Sequence, residues 1–331
     1  MTDKPGMTGR LRMAAGSPGA RIVGIGSAQP ERVVSNEELS KRVDTNDEWI
    51  RKRVGIVNRR IAGPEQTLVD LASEAAGKAV ADAGLGPSDI DSVLIATCSM
   101  PNTVPHAASQ VAERIGITAP GAFDLNAACA GFCYGLATAS DMVRAGSAHN
   151  VLVVGAEKLS DRTDWEDRGT CVIFADGAGA VVVGPAAQPA IGPVAWGSAG
   201  ALYDAIGTTD RGFLYQQGQT VYRWASSKIG PIALRAVELA GLQPSDVDVF
   251  IPHQANLRIV EAIARQLHKA GARPDLVVAD DIVESGNTSS ASIPLALDHM
   301  RAAGRVRSGD VMLFVGFGAG LTYAGQVAIC P

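Results

Sequence analysis

Short apolar runs of strand length alternate along the chain with longer stretches of helical periodicity, and glycine or a capping residue separates them. Arg21-Ile-Val-Gly-Ile-Gly26 opens the fold as a buried strand. Ser35 with Glu38, and Asn46 ahead of Asp47-Glu-Trp-Ile-Arg-Lys-Arg53, are two capped helix starts. Thr67 to Ala83 is helical and stops at Gly84. Asp91 to Thr97 and Gly121 to Leu125 are strands, and Phe132 to Val143 is apolar enough for a buried helix. After a strand over Asn150–Gly155, a polar turn, Asp167-Arg-Gly-Thr170, leads into Cys171-Val-Ile-Phe-Ala175. Asp176 to Gly184 closes this half. Gly177-Ala-Gly179 runs into a β-branched strand and lacks GxGxxG spacing, so it is no dinucleotide fingerprint.

The pattern then repeats. Ala83-Gly-Leu-Gly-Pro-Ser-Asp-Ile-Asp91 recurs as Ala240-Gly-Leu-Gln-Pro-Ser-Asp-Val-Asp248, an offset of 157. Asn126–Ser140 matches Asn287–Arg301, and Val151-Leu-Val-Val-Gly155 matches Met312-Leu-Phe-Val-Gly316, both at offset 161. Strands alternating with helices in each copy imply an α/β protein of two halves, each a mainly parallel sheet covered by helices, related by a pseudo-twofold axis. The division is expected at 187/188, giving halves 21–187 and 188–331 behind a disordered tail over 1–20.

Composition narrows the class. With 47% hydrophobic and 19% charged residues in 331, the chain can bury a large core. A net charge of −5 argues against a general nucleic-acid binder. Five cysteines, widely spaced and without CxxC, form neither a disulfide framework nor a zinc pattern. Residues 1–20 hold no apolar run of signal-peptide length, and no later stretch is long enough to span a bilayer. A soluble cytoplasmic protein without metal is the expectation.

The duplication directs attention to the two matched turns. Cys129 stands among small residues where a strand meets a helix, so the helix dipole favours its thiolate. Its counterpart is Ser290. His253 ends the apolar strand Val247–Ile251, where ligands bind in such sheets; it is either an ordinary strand-end histidine or a partner of the thiol. Asn287 is either an N-cap or a donor to an oxyanion, and Gly316–Gly320 can present free backbone N–H groups. A papain-like hydrolase has these residue types, but its local signature is absent and the duplicated α/β frame is wrong for it.

Taken together, Asp47–Ile50, Asn126–Phe132, Asp167–Thr170, Pro252–Arg258, Gly286–Ser289 and Gly316–Gly320 resemble β-ketoacyl-acyl-carrier-protein synthase III of the thiolase-like superfamily, over roughly residues 20–331. The resemblance implies a five-layer αβαβα fold and a decarboxylative condensation of a short acyl-CoA primer with malonyl-ACP, without a cofactor. It implies Cys129 as nucleophile, His253 and Asn287 as neutral donors to the malonyl thioester, and the N–H groups of Cys129 and Ala319 as oxyanion hole. It further implies Trp49, Arg53, Arg168 and Asn256 for CoA, and Gln254, Ala255, Asn256, Leu257 and Arg258 for the acyl carrier protein. A homodimer follows, with Met100–Pro105 closing the partner's acyl pocket. Val54, Val104, Ser290 and Ala319 depart from the family pattern. A priming ketosynthase or acyltransferase of polyketide metabolism is the nearest alternative.

Overall fold

The computed structural model describes residues 14–331. Ten strands form two sheets of five. The first holds β1 (Gly19–Ala28), β2 (Ser92–Ala96), β3 (Gly121–Leu125), β4 (Val151–Lys158) and β5 (Asp176–Ala186), in the order β1-β5-β4-β2-β3. The second holds β6 (Ala195–Ser198), β7 (Val249–Pro252), β8 (Val277–Val278), β9 (Val311–Gly318) and β10 (Thr322–Ile329), in the order β6-β10-β9-β7-β8. The two orders are the same, strand for strand, so the repeat seen in sequence is a repeat of topology.

The sheets are mixed rather than mainly parallel. β2 pairs in parallel with β3 and β4, while β5 runs antiparallel to both β4 and β1; the second sheet repeats this. The connections explain the difference. Parallel neighbours require a crossover, usually helical, whereas only the turn Ala319–Leu321 separates β9 from β10.

Six helices complete the layers: α1 (Leu68–Asp82), α2 (Ala107–Arg114), α3 (Gly131–Ala145), α4 (Gly218–Leu239), α5 (Leu257–Lys269) and α6 (Ser292–Ala302). α1 starts on a capping box, Thr67 Oγ1 accepting from Asp70 N at 3.1 Å and Asp70 accepting from Thr67 N at 2.7 Å. α1 and α2 cover the outer face of the first sheet, and α4 and α5 that of the second. α3 and α6 lie between the sheets, where Phe132, Leu136, Ile293 and Leu297 pack with Val153, Val181, Ile251 and Phe314. The result is five layers, αβαβα, with one central core belonging to both halves.

The halves also seat one another. A Cβ on Gly155 of β4 would collide with the Ser290 carbonyl, and one on Gly316 of β9 would lie 2.9 Å from Ala130 Cα. Each turn therefore rests on the central strand of the other half, an approach that only glycine permits.

Between β1 and α1 the chain forms a small subdomain with the helix Asp47–Val54 and the ribbon Val33–Ser35/Asn58–Arg60. Its apolar residues pack on Cys171–Phe174 and Ile282. Arg59, fully buried there, donates to Val34 O (3.2 Å), Asn36 Oδ1 (2.8 Å) and Val172 O (3.0 Å), and burial pushes its pKa down to about 10.

The tail expected over 1–20 is shorter at its inner end. Gly19 and Ala20 already belong to β1, and Ser17 Oγ donates to Ala186 O at 3.1 Å; residues 1–13 of that expectation lie outside the described residues. The chain leaves the first sheet at Ala186 and enters the second at Ala195. We propose 187/188, inside this link, as the division of the halves.

Candidate active site

β3 runs out at Leu125 and the chain turns. Asn126 Oδ1 accepts from Ala128 N at 3.0 Å, Ala128 takes a left-handed φ of 46°, and a single 3₁₀ turn, Ala128–Ala130, feeds α3. A left-handed alanine stores local strain, and it leaves Cys129 half-buried at the head of the helix. Gly318 lies directly against it: a Cβ there would sit 2.7 Å from Cys129 N. Ala319 follows in the position where the family pattern has glycine. Its φ is not positive, because the left-handed turn falls on Gly320 (φ 119°), so alanine fits without strain.

The second turn has the same design. Asn287 Oδ1 accepts from Ser289 N at 2.8 Å, and Ser289 has a φ of 48°. The backbone of Asn287 is clamped to the 173–175 segment, Asn287 N donating to Ile173 O and Ala175 N to Asn287 O, both at 2.9 Å. His253 continues β7, its N–H donating to Val315 O at 2.8 Å. Its ring meets Phe317 edge-on at 5.3 Å, and Nδ1 lies 2.7 Å from Ser292 Oγ. Ser292 Oγ also accepts from Gln254 N (3.2 Å), and its own hydrogen is available to His253 Nδ1, the pairing that goes with a ring hydrogen on Nε2.

Cys129, His253 and Asn287 line one cavity of about 660 Å³ with Phe317 and Gly318; exposed Arg53 and Arg258 line it too. Burial pushes the His253 pKa down to about 3, which favours the neutral ring. Burial also pushes the Cys129 thiol up to about 12, opposed by a hydrogen bond from Ser289 and reinforced by the charge of Glu157. Burial thus works against the thiolate that the helix dipole favours.

Around the cavity mouth, Arg53 Cζ and Arg168 Cζ stand 5.4 and 5.2 Å from the centroid of Trp49, and Arg168 donates to Asp44 O at 2.8 Å. A base sandwiched between indole and guanidinium needs about 7 Å between their planes, two contacts of roughly 3.5 Å. Arg168 must swing aside to admit one. Asn256 caps α5, accepting from Arg258 N (2.9 Å), and its Nδ2 donates to Arg53 O (3.2 Å). Arg258 is exposed, lying 5.0 Å over the Tyr222 ring. Gln254 is different. Only 1% exposed, it donates to Pro252 O (2.8 Å) and accepts from Ile282 N (3.1 Å). Its inward-turned amide removes it from the expected carrier-protein contacts. Ala255 and Leu257 are half-buried, Leu257 against Gly55.

Sequence reasoning overlooked Ser292, which meets His253, and Glu157, which meets Ser290; the available signal for Glu157 was a charge closing the apolar run Val151–Ala156. All five cysteines are free, and among the described residues no cluster of three metal-binding side chains occurs.

Two copied α/β halves, sharing a central core and a cavity with a cysteine from one turn and a histidine and asparagine from the other half, define a condensing enzyme of the thiolase-like fold. The family model of 3-oxoacyl-(acyl-carrier-protein) synthase III matches residues 123–200, and the model of its C-terminal part matches 237–329. β-Ketoacyl-(acyl-carrier-protein) synthase III 4 of Streptomyces coelicolor is 51% identical over 95% of this chain and 99% of its own length, and the synthase III of Mycobacteroides abscessus is 44% identical over 100% and 98%. Among solved structures, the priming β-ketosynthase of the R1128 polyketide pathway superposes with a TM-score of 0.92 at 40% identity, covering 97% and 98%. The synthase III of Aquifex aeolicus gives 0.89 at 39% identity, covering 94% and 100%. The chain belongs to the β-ketoacyl-acyl-carrier-protein synthase III family, and it is an acyltransferase of the condensing type.

Proposed function

We propose that the chain primes acyl-chain synthesis by a two-step condensation, with Cys129 as nucleophile. Cys129 takes the acyl group from a short acyl-CoA, its oxyanion held by the N–H groups of Cys129 and Ala319. His253 Nε2–H and Asn287 Nδ2 then donate to the thioester oxygen of malonyl-ACP and stabilise the enolate as carbon dioxide leaves. That enolate attacks the acyl-cysteine and gives 3-oxoacyl-ACP. The observation that carries this reading is the neutral histidine. With its pKa pushed down to about 3 and no carboxylate on its ring, it is suited to donate to a developing enolate rather than to deprotonate the thiol.

In this reading Trp49 and Arg168 part to hold the adenine, with Arg53 and Asn256 beside it. Arg258, with Ala255, Asn256 and Leu257, offers the acidic carrier protein a cation at the cavity edge; a cation near a helix N-terminus is unfavourable until an anion arrives. No redox or metal cofactor enters these steps. A homodimer is supported by β3, an edge strand with Phe123 exposed, and by Val104, 81% exposed in the 100–105 segment assigned to the partner's pocket. No helix among the described residues is long and apolar enough to cross a membrane, and we place the enzyme in the cytoplasm. The similarity to the R1128 priming ketosynthase supports a second reading, in which the same chemistry starts a polyketide chain.

Incubation with acetyl-CoA should add an acyl group to the intact protein, and malonyl-ACP should then discharge it as acetoacetyl-ACP. Failure of acylation, or hydrolysis without a carbon–carbon product, overturns the proposal. Competition among straight and branched acyl-CoA primers, with fatty-acid or polyketide carrier proteins, separates the two readings.

A further inference from the structure

The second step above needs a hydrogen on His253 Nε2, and the head of α6 bears on where that hydrogen sits. Burial favours the neutral ring, and a neutral imidazole carries one hydrogen on one of its two nitrogens. The partner of Nδ1 is Ser292 Oγ, 2.7 Å away; His253 is 2% exposed and Ser292 fully buried. Nε2 has no hydrogen-bond partner among the described residues, and His253 lines the cavity with Cys129 and Asn287. The ring is therefore tied to the protein through one nitrogen and leaves the other for a ligand.

A hydrogen count distinguishes the two forms of the ring. Among the described residues Ser292 Oγ has two hydrogen-bond neighbours, His253 Nδ1 and Gln254 N (3.2 Å). Gln254 N can only donate, so it takes a lone pair of Oγ and leaves the single hydroxyl hydrogen to be placed. With the ring hydrogen on Nδ1, Oγ would accept twice and its own hydrogen would be buried without an acceptor, a state folded proteins avoid. With the ring hydrogen on Nε2, the hydroxyl donates to Nδ1 and every group is paired. The Gln254 backbone is pinned for this task. Its side chain donates to Pro252 O (2.8 Å) and accepts from Ile282 N (3.1 Å).

The copied half supplies an independent comparison. At the offsets of the repeat, 157 and 161, the counterparts of His253 and Ser292 are Ala96 and Gly131. These two also face one another, since a Cβ on Gly131 would lie 3.0 Å from Ala96 Cβ. The contact between strand end and helix start is bare in one half and carries an imidazole and a hydroxyl in the other. We infer that Ser292 is a positioning residue for the decarboxylation step, donating to His253 Nδ1 so that the ring holds its hydrogen on Nε2 and presents it to the malonyl thioester oxygen. The turn Asn287–Ser292 then supplies one donor directly, through Asn287, and fixes the second through its last residue. No proton changes hands in this role: the hydroxyl and ring hydrogens stay in place as the enolate forms and attacks.

The inference rests on His253 donating to malonyl-ACP, and the test keeps the two apart. The tautomer is read from ¹⁵N–¹H correlations across the ring in protein labelled with ¹⁵N-histidine, with His253→Gln identifying the His253 signals among the five histidines. The parent protein should carry the hydrogen on Nε2, and Ser292→Ala should show both tautomers. Acylation of Ser292→Ala by acetyl-CoA should keep the parent rate, which also reports an intact fold. Its kcat for carbon dioxide release from malonyl-ACP should fall roughly tenfold with KM unchanged, less than the loss of a whole donor. A parent ring with its hydrogen on Nδ1 overturns the inference without any variant. So does a Ser292→Ala protein whose His253 keeps Nε2–H alone, that releases carbon dioxide at the parent rate, or that loses acylation and decarboxylation equally. Carbon dioxide release at the parent rate from His253→Gln overturns the donor role of His253 instead, and leaves the tautomer result standing.

Discussion

The turns Asn126–Gly131 and Asn287–Ser292 have nearly the same backbone. In each an asparagine accepts from the N–H two residues on, at 3.0 and 2.8 Å, and the residue so held has a left-handed φ, 46° and 48°. A single 3₁₀ turn and a central helix follow in both. They differ in what faces the next side chain. Cys129 meets Gly318 and an open cavity, whereas Ser290 meets Glu157, which occupies in β4 the position that Gly318 has in β9. The comparison separates scaffold from site: the strained turn at a helix start is common to both, and the facing strand residue decides whether substrate or a carboxylate fills the space.

The sharpest test moves the thiol from one turn to the other. Cys129→Ala should abolish acyl-enzyme formation, and adding Ser290→Cys should not restore it, because the second turn has no cavity and faces a carboxylate; an acylated double variant at intact mass would break the comparison. Gly318→Ala should come next. Its Cβ would lie 2.7 Å from Cys129 N, so the turn must shift and acylation should fall on the order of 10²-fold, the scale of losing an oxyanion contact. Asparagine substitutions then compare the caps. Asn287→Ala should cut malonyl-ACP decarboxylation by about 10²- to 10³-fold while sparing acylation. Asn126→Ala should cost only about 1 kcal/mol of stability through one lost hydrogen bond, read by urea unfolding. If both lost the same step, the division of labour would be wrong.

The smallest effect is on pH-dependent stability. His253 is neutral in the fold, with its pKa pushed from 6.5 to about 3, so its contribution is present above 6.5 and lost as pH falls toward 3, at up to about 1.4 kcal/mol per pH unit. His299 works in the opposite sense. Asp281, 2.7 Å away, raises its pKa, so its contribution is present at low pH and lost as pH rises through the raised value. His253→Gln should flatten the acid limb of the unfolding curve and leave the limb set by His299 unchanged.

Much of this was legible in the amino-acid order, because the copied pattern carries local chemistry. The helix starts at Ser35 and Asn46 read directly as caps, and their side chains accept from Glu38 N and Trp49 N; Thr67, read as the first helical residue, is itself the cap. The repeat paired the Cys129 turn with the Asn287 turn before any coordinates, and the family resemblance added His253 to them. What stayed hidden depends on contacts distant in sequence. Strand direction follows from which loops lack a crossover helix, which periodicity does not report. The inward turn of Gln254 depends on Ile282, the ring contact of His253 on Ser292, and the upward push on the Cys129 thiol on burial. Glu157 reads as the polar end of a strand until Thr97, Cys98, Ser99 and Ser290 are seen around it.

The reciprocal seating at Gly155 and Gly316 bears on how such a molecule could arise. A half-length chain pairing with its own copy would lay each turn on its partner's central strand and make two equivalent sites about a true twofold axis. In one joined chain the two positions are free to differ. In the present chain one turn carries the thiol and faces glycine while the other faces an acid, so a single reaction chamber stands where a symmetric pair would have two.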